Sequence, residues 1–140
     1  MRALSGGFLV VVGLMNAACA SDPAPPATFS AIYSMLFPRS TKYQCEFCHG
    51  LPANEVSNGR LAMGMDQATA YAALVAQPST SMMCGGRELV TPGDPDNSLL
   101  YLKLTSHPPC GDQMPLSGLA LTSSQLQMVR TWIANGAQDD

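Results

Sequence analysis

This chain has no cluster of lysine or arginine. The basic residues of its main body, Arg39, Lys42, Arg60, Arg87, Lys103 and Arg130, are scattered, and the formal net charge is −3. Without a basic face nothing is set to hold a phosphate backbone, and no nucleic-acid partner is expected. Long apolar runs are equally scarce: past residue 20 no segment is apolar enough to cross a bilayer. There is no internal repeat. The sequence also lacks a Ser/His/Asp set and paired carboxylates, and it holds only 2 histidines. Nothing in it points to substrate turnover, so the expectation is a protein that is not itself an enzyme.

The N-terminus is different in kind. A short basic start (Met1, Arg2) leads into the apolar run Phe8-Leu9-Val10-Val11-Val12-Gly13-Leu14-Met15 and then into small residues, Asn16-Ala17-Ala18-Cys19-Ala20. Residues 1–20 read as a secretory signal peptide, too short in its apolar part to span a membrane. Two cleavage readings stand side by side. Ala18-x-Ala20 suits ordinary signal peptidase and would leave Ser21 first. Asn16-Ala17-Ala18-Cys19 resembles a bacterial lipobox, with Asn16 where an aliphatic residue is usual, and would leave Cys19 lipidated as a membrane tether. Residues 21–27, Ser-Asp-Pro-Ala-Pro-Pro-Ala, are a Pro/Ala spacer of the kind that separates a domain from an anchor. An exported, periplasmic protein is expected, soluble or lipid-anchored, with residues 28–140 as its single domain.

The most informative residues are Cys45-Glu46-Phe47-Cys48-His49. This C-x-x-C-H spacing places two thiols on one helical turn, where each can add across a vinyl group of one haem. The histidine that follows then stands beneath the porphyrin iron. Cys45 and Cys48 are therefore expected to bind a c-type haem covalently, with His49 as the proximal iron ligand. A zinc half-site is the rival reading, with Cys84 and Cys110 as partners, although those two are isolated rather than paired. A thioredoxin-like reading needs a βαβ unit, whose strands are missing.

Of 5 cysteines, Cys19 leaves with the signal or carries lipid and two hold haem. Cys84 and Cys110 remain, an even pair in an oxidising compartment, and a disulfide is the economical reading. It would staple a domain small enough to need it.

The domain reads as short helices joined by turn-rich loops. Thr28 caps a helix carrying Phe29, Ile32, Tyr33 and Leu36, which Pro38 ends. The haem motif forms a helical turn stopped by Gly50 and Pro52, and a loop runs from Asn54 to Gly64. Asp66 caps a helix over 67–76 that presents Ala70, Tyr71, Leu74 and Val75. A short strand is expected over Arg87–Val90. Pro92-Gly93-Asp94-Pro95 is a turn with Asp94 as N-cap and Pro95 at the first position of a helix lined by Leu99, Leu100 and Leu104. Thr122-Ser123-Ser124-Gln125 is a capping box before a helix with the stripe Leu126, Val129, Trp132 and Ile133, and Gly136 stands at its C-terminal cap.

A low-spin haem needs a sixth ligand, and Met114 sits in a late loop, Gly111-Asp112-Gln113-Met114-Pro115. The C-x-x-C-H site, this Met-Pro, and the flanking helices resemble a monohaem class I cytochrome c. The longer pattern Pro92-Gly93-Asp94-Pro95, Ser98-Leu99-Leu100-Tyr101, Cys110-Gly111, Met114-Pro115, Trp132-Ile133 and Gly136-Ala137 is similar to small, often lipid-anchored bacterial cytochrome c-like domains. The resemblance covers nearly the whole mature chain. It implies an all-α bundle of about four to five short helices around one covalent haem. It also implies His49 and Met114 as axial ligands, and crossed first and last helices with Tyr33 or Ile32 against Trp132. Met63, Met65, Met82 and Met83 also stand in loops, and His107 is the rival imidazole. Asp94-x-Asp96-x-Ser98 fails as a calcium loop, because Leu99 and Thr105 occupy the positions that need Gly and Glu. The resulting expectation is a carrier of single electrons between an unidentified redox donor and acceptor. The other readings are a haem-based sensor or ligand-binding module, or a haem-bearing subunit of a larger oxidoreductase.

Overall fold

The structure is a computed structural model and describes residues 26–50 and 61–140. The signal peptide, Cys19 and most of the spacer lie outside the described residues, as do Pro52 and the 54–60 part of the expected loop. Among the described residues there are five α-helices, α1 (Phe29–Leu36), α2 (Cys45–His49), α3 (Gln67–Leu74), α4 (Leu99–Leu104) and α5 (Ser123–Ala134), with 3₁₀ turns at Met82–Cys84 and Pro95–Asn97. No strand forms among these residues, which agrees with an all-α fold.

Local capping sets the helix starts. The Thr28 hydroxyl accepts from the Ala31 N–H at 3.2 Å, and extended backbone at Thr28 (φ −112, ψ 156) turns the chain into α1. A second cap comes from far along the chain: the Asp140 carboxylate accepts from the Phe29 N–H at 2.7 Å, and its backbone oxygen accepts from the Ser30 N–H at 2.9 Å. Asp66 caps α3 by accepting from the Thr69 N–H at 2.9 Å and from its hydroxyl at 2.8 Å. These bonds hold its carboxyl below the usual range. Thr122 and Gln125 make the reciprocal capping box of α5. That helix ends at Ala134 with Asn135 as its C-cap, and Gly136 follows at φ +98, a left-handed position open to glycine.

Three expectations change. Helix α3 stops at Leu74, two residues before Ala76, because Val75 is extended (φ −79, ψ 126) and bridges to Val90. Ala76 then donates its N–H to the Val90 carbonyl at 2.9 Å. The strand expected at Arg87–Val90 is reduced to isolated bridges, Val75 with Val90 and Pro78 with Glu88. Directly after Pro95 the chain makes a 3₁₀ turn, and the helix restarts only at Leu99. Between them lies Ser98, fully buried, whose hydroxyl donates to the Asp94 carbonyl at 2.7 Å and accepts from the Thr91 N–H at 2.9 Å. Those loop partners hold Ser98 in extended backbone (φ −84, ψ 114) and interrupt the helix.

The core gathers around Phe29, which is fully buried. Its ring lies 5.2 Å from Trp132 of α5, 5.3 Å from Tyr71 of α3 and 6.0 Å from Phe37 (centroid to centroid). The ring contact between the first and last helices is therefore made by Phe29 rather than by Tyr33. Tyr33 instead turns its hydroxyl to Glu46.

Two stability effects are expected. Phe29→Ala should lower unfolding free energy by about 3–5 kcal/mol, because it leaves a hole shared by α1, α3 and α5. Ala76 adopts φ +53 and is exposed, so Ala76→Gly should raise stability by about 0.5–1 kcal/mol by removing the Cβ clash of the left-handed region. Urea denaturation measures both; a neutral Phe29→Ala or a destabilising Ala76→Gly would contradict this account.

Candidate functional site

Helix α2 is suspended from the end of α1. The Glu46 N–H donates to the Phe37 carbonyl at 2.9 Å, and the Gln44 N–H donates to the Thr41 hydroxyl at 3.1 Å, which itself donates to the Leu36 carbonyl at 3.2 Å. Gln44 enters the helix in left-handed conformation (φ 50, ψ 45). Glu46 is a buried carboxylate that accepts from the Tyr33 hydroxyl at 2.7 Å. Burial, and then the bond to Glu46 and its charge, push the Tyr33 phenol up to about 12. This pair ties the middle of the C-x-x-C-H turn to the core-facing helix α1.

Cys45 and Cys48 are half-buried and take part in no disulfide. Burial pushes the Cys45 thiol up to about 12, with the neighbouring Cys48 and Glu46 adding to the effect. It is held as an un-ionised thiol. His49 has its Nδ1 3.2 Å from the Leu61 carbonyl. Burial lowers its pKa, more than the Leu61 contact raises it, so the ring is neutral. A carbonyl only accepts, so the proton sits on Nδ1 and Nε2 carries the free lone pair. That is the tautomer of an imidazole ready to ligate a metal through Nε2, with the backbone orienting the ring from behind.

These residues share one cavity of about 510 Å³ with Met114, a size within the range of about 300–1,000 Å³ typical of cofactor and small-molecule sites. Leu36, Phe37, Leu74, Leu89, Leu99 and Leu104 supply apolar wall. The exposed side chains Phe47, Met83 and Leu116 also line it, so its edge opens to solvent. A smaller cavity, about 220 Å³, is lined by residues between Asp112 and Ala120 alone and brings together neither the cysteines nor the histidine.

The segment bearing Met114 is fixed by nonlocal bonds. Cys84 and Cys110 form the expected disulfide, closing a loop with a sequence separation of 26. The Met114 N–H donates to the Lys103 carbonyl at 2.7 Å. The Lys103 ammonium donates to the carbonyls of Cys110 at 2.7 Å and Asp112 at 2.6 Å.

The rival residues separate by position. Met65 and Met82 are exposed and do not line the larger cavity, whereas Met63 and Met83 do. Met63 is buried and donates its N–H to the His49 carbonyl, which makes it part of the wall that carries His49. His107 is exposed, paired through Nδ1 with the Ser106 hydroxyl at 2.8 Å, and does not line the cavity. The zinc reading loses its partners, since Cys84 and Cys110 are bonded to each other. No group of three or more His, Cys, Asp or Glu side chains suited to a metal ion occurs among the described residues. Asp94 caps the Pro95–Asn97 turn, and Asp96 pairs with Arg130 at 2.6 Å.

Three contributors were not legible in the sequence: the Leu61 carbonyl, the Tyr33–Glu46 pair and the Lys103 ammonium. Glu46, a carboxylate inside an otherwise apolar motif, and Lys103, between two leucines of a helix, were the only signals. No protein family, curated protein or solved structure matches this chain.

The disulfide generates a prediction. Cys84→Ser with Cys110→Ser should lower stability by about 2–5 kcal/mol. Peptide mapping of the unreduced wild-type protein should recover the two peptides joined. Free alkylation of both thiols in the oxidised protein would remove the staple.

Proposed function

We propose that this chain is an exported c-type cytochrome that carries single electrons through one covalently bound haem. The observation that carries the proposal is the convergence of Cys45, Cys48, His49 and Met114 on one largely apolar cavity of about 510 Å³. The residues fit the group: an apolar box, two unpaired thiols one helical turn apart, a neutral half-buried imidazole with Nε2 free, and a thioether from a distant loop. The haem iron would supply the change between ferric and ferrous states.

The chain's own residues do the rest. Cys45 and Cys48 would form the thioethers, so the cofactor cannot leave. His49 would hold the iron from the α2 side, its ring aimed by the Leu61 carbonyl. Met114 would hold it from the 110–114 loop, and a neutral thioether favours the reduced iron relative to a second imidazole. The leucine walls exclude water. The exposed Phe47, Met83 and Leu116 line the same cavity and suit brief apolar contact with a redox donor and acceptor. Export is supported by the sequence of residues 1–20, where c-type haem attachment and a lasting disulfide both belong. Tethering through a lipidated Cys19 belongs to the same proposal.

Expressed with haem-attachment machinery, the mature protein should keep its haem through acid–acetone extraction, and Cys45→Ala with Cys48→Ala should abolish that retention. Recovery of zinc instead of haem would defeat the proposal. Wild-type protein should give a six-coordinate low-spin spectrum that carbon monoxide does not shift. Met114→Ala should open the iron to carbon monoxide, and Met114→His should stay low-spin at a lower potential. The same changes at Met63 and Met83 should leave the spectrum unaltered; an essential Met63 or Met83 would overturn the distal assignment alone.

A further inference from the structure

The loop that carries Met114 is bonded to α4 through both the main chain and the side chain of Lys103. Met114 lies outside any helix, and a loop of this kind opens locally more readily than a core element. The 110–114 backbone meets Lys103 at three points, one through the Lys103 carbonyl and two through its ammonium. The Lys103 carbonyl accepts from the Met114 N–H at 2.7 Å, and the Lys103 ammonium donates to the carbonyls of Cys110 and Asp112 at 2.7 and 2.6 Å. The ammonium lies so close over the turn that a Cβ on Gly111, itself at φ +57, would come within 3.1 Å of it. Hydrogen bonds from a charged donor are stronger than neutral ones. Their base is firm, because Lys103 belongs to α4, whose Leu99 and Leu104 are buried. The other lysine, Lys42, is exposed and stacks on the Tyr43 ring at 4.8 Å, away from this loop.

We propose that Lys103 is a positioning residue that latches the 110–114 loop and so keeps the Met114 thioether at the haem. The proposal rests on the cytochrome reading and sharpens it. With the latch closed the protein is a six-coordinate electron carrier; with it released, the same fold has a binding site for a small diatomic ligand. Lys103 rather than the leucine walls then decides between these behaviours. The disulfide at Cys110 fixes one end of the loop, and Lys103 fixes the stretch from there to Met114.

Lys103→Met keeps the length of the side chain and removes the ammonium. The variant is expected to retain covalent haem and helical circular dichroism. The concentration of carbon monoxide needed to displace Met114 should fall about tenfold from the high wild-type value, equivalent to about 1.4 kcal/mol of lost restraint. The Met114 amide should exchange faster by a similar factor. Lys103→Arg, which keeps the charge, should restore most of both. Wild-type carbon monoxide response and Met114 amide protection in Lys103→Met would overturn the latch. If that variant fails to fold, limited acetylation of the wild-type protein decides instead. Lys103 should react more slowly than Lys42, and its acetylation should raise carbon monoxide binding. Equal reactivity with no change in binding would overturn the proposal. Absence of covalent haem from the wild type defeats the cytochrome reading on its own; the Met114 amide, readable without haem, then still reports on the latch.

Discussion

The α2 side of the site depends on where the Phe29 ring is held. Trp132 of α5, Tyr71 of α3 and Phe37 all meet it within 6.0 Å, so one buried side chain joins the two ends of the domain to its middle. Phe37 belongs to this cluster and also supplies the carbonyl that receives the Glu46 N–H. Aromatic packing is thereby passed directly to the backbone of α2. The C-x-x-C-H turn is only five residues long, too short to be stable alone. It exists as a helix because its first turn is bonded to the end of α1 and its Glu46 to Tyr33.

Two kinds of restraint hold residues that line the cavity. The His49 side is held by burial and by short bonds among neighbouring segments, α1, α2 and the 61–63 stretch. The Met114 side is held by a disulfide and by polar bonds from α4. Apolar packing resists opening in proportion to buried area, whereas carbonyl–ammonium bonds can be exchanged for water with a smaller net change. The side carrying Met114 is therefore the more adjustable of the two.

Much of this architecture was legible where the determining contacts are close in sequence. Thr28, Asp66 and Thr122 cap the helices they were expected to cap, because each oxygen accepts from an N–H three residues on. The Cys84–Cys110 pair followed from cysteine usage alone. Legibility ended where a distant segment intervened. Nothing around Val75 announces that Val90 would draw it out of α3, and the hydroxyl of Ser98 gave no sign that Asp94 and Thr91 would claim it. The same limit explains Leu61 and Lys103. One acts through a backbone carbonyl, and the other acts upon backbone carbonyls, groups that every residue has and no motif records. Phe29 rather than Tyr33 makes the ring contact with Trp132, while the Tyr33 hydroxyl is drawn off by a buried carboxylate.

The Cys84–Cys110 bond has a topological consequence. It encloses the bridged residues Glu88 and Val90, the Pro95–Asn97 turn and all of α4 within a covalent ring. A protease that cuts once inside that ring opens a gap without parting the molecule. The fragment bearing Cys45, Cys48 and His49 stays chemically joined to the one bearing Met114. A nicked molecule would migrate as a single species until reductant is added, and either half could still find the other, at the high local concentration of an intramolecular partner.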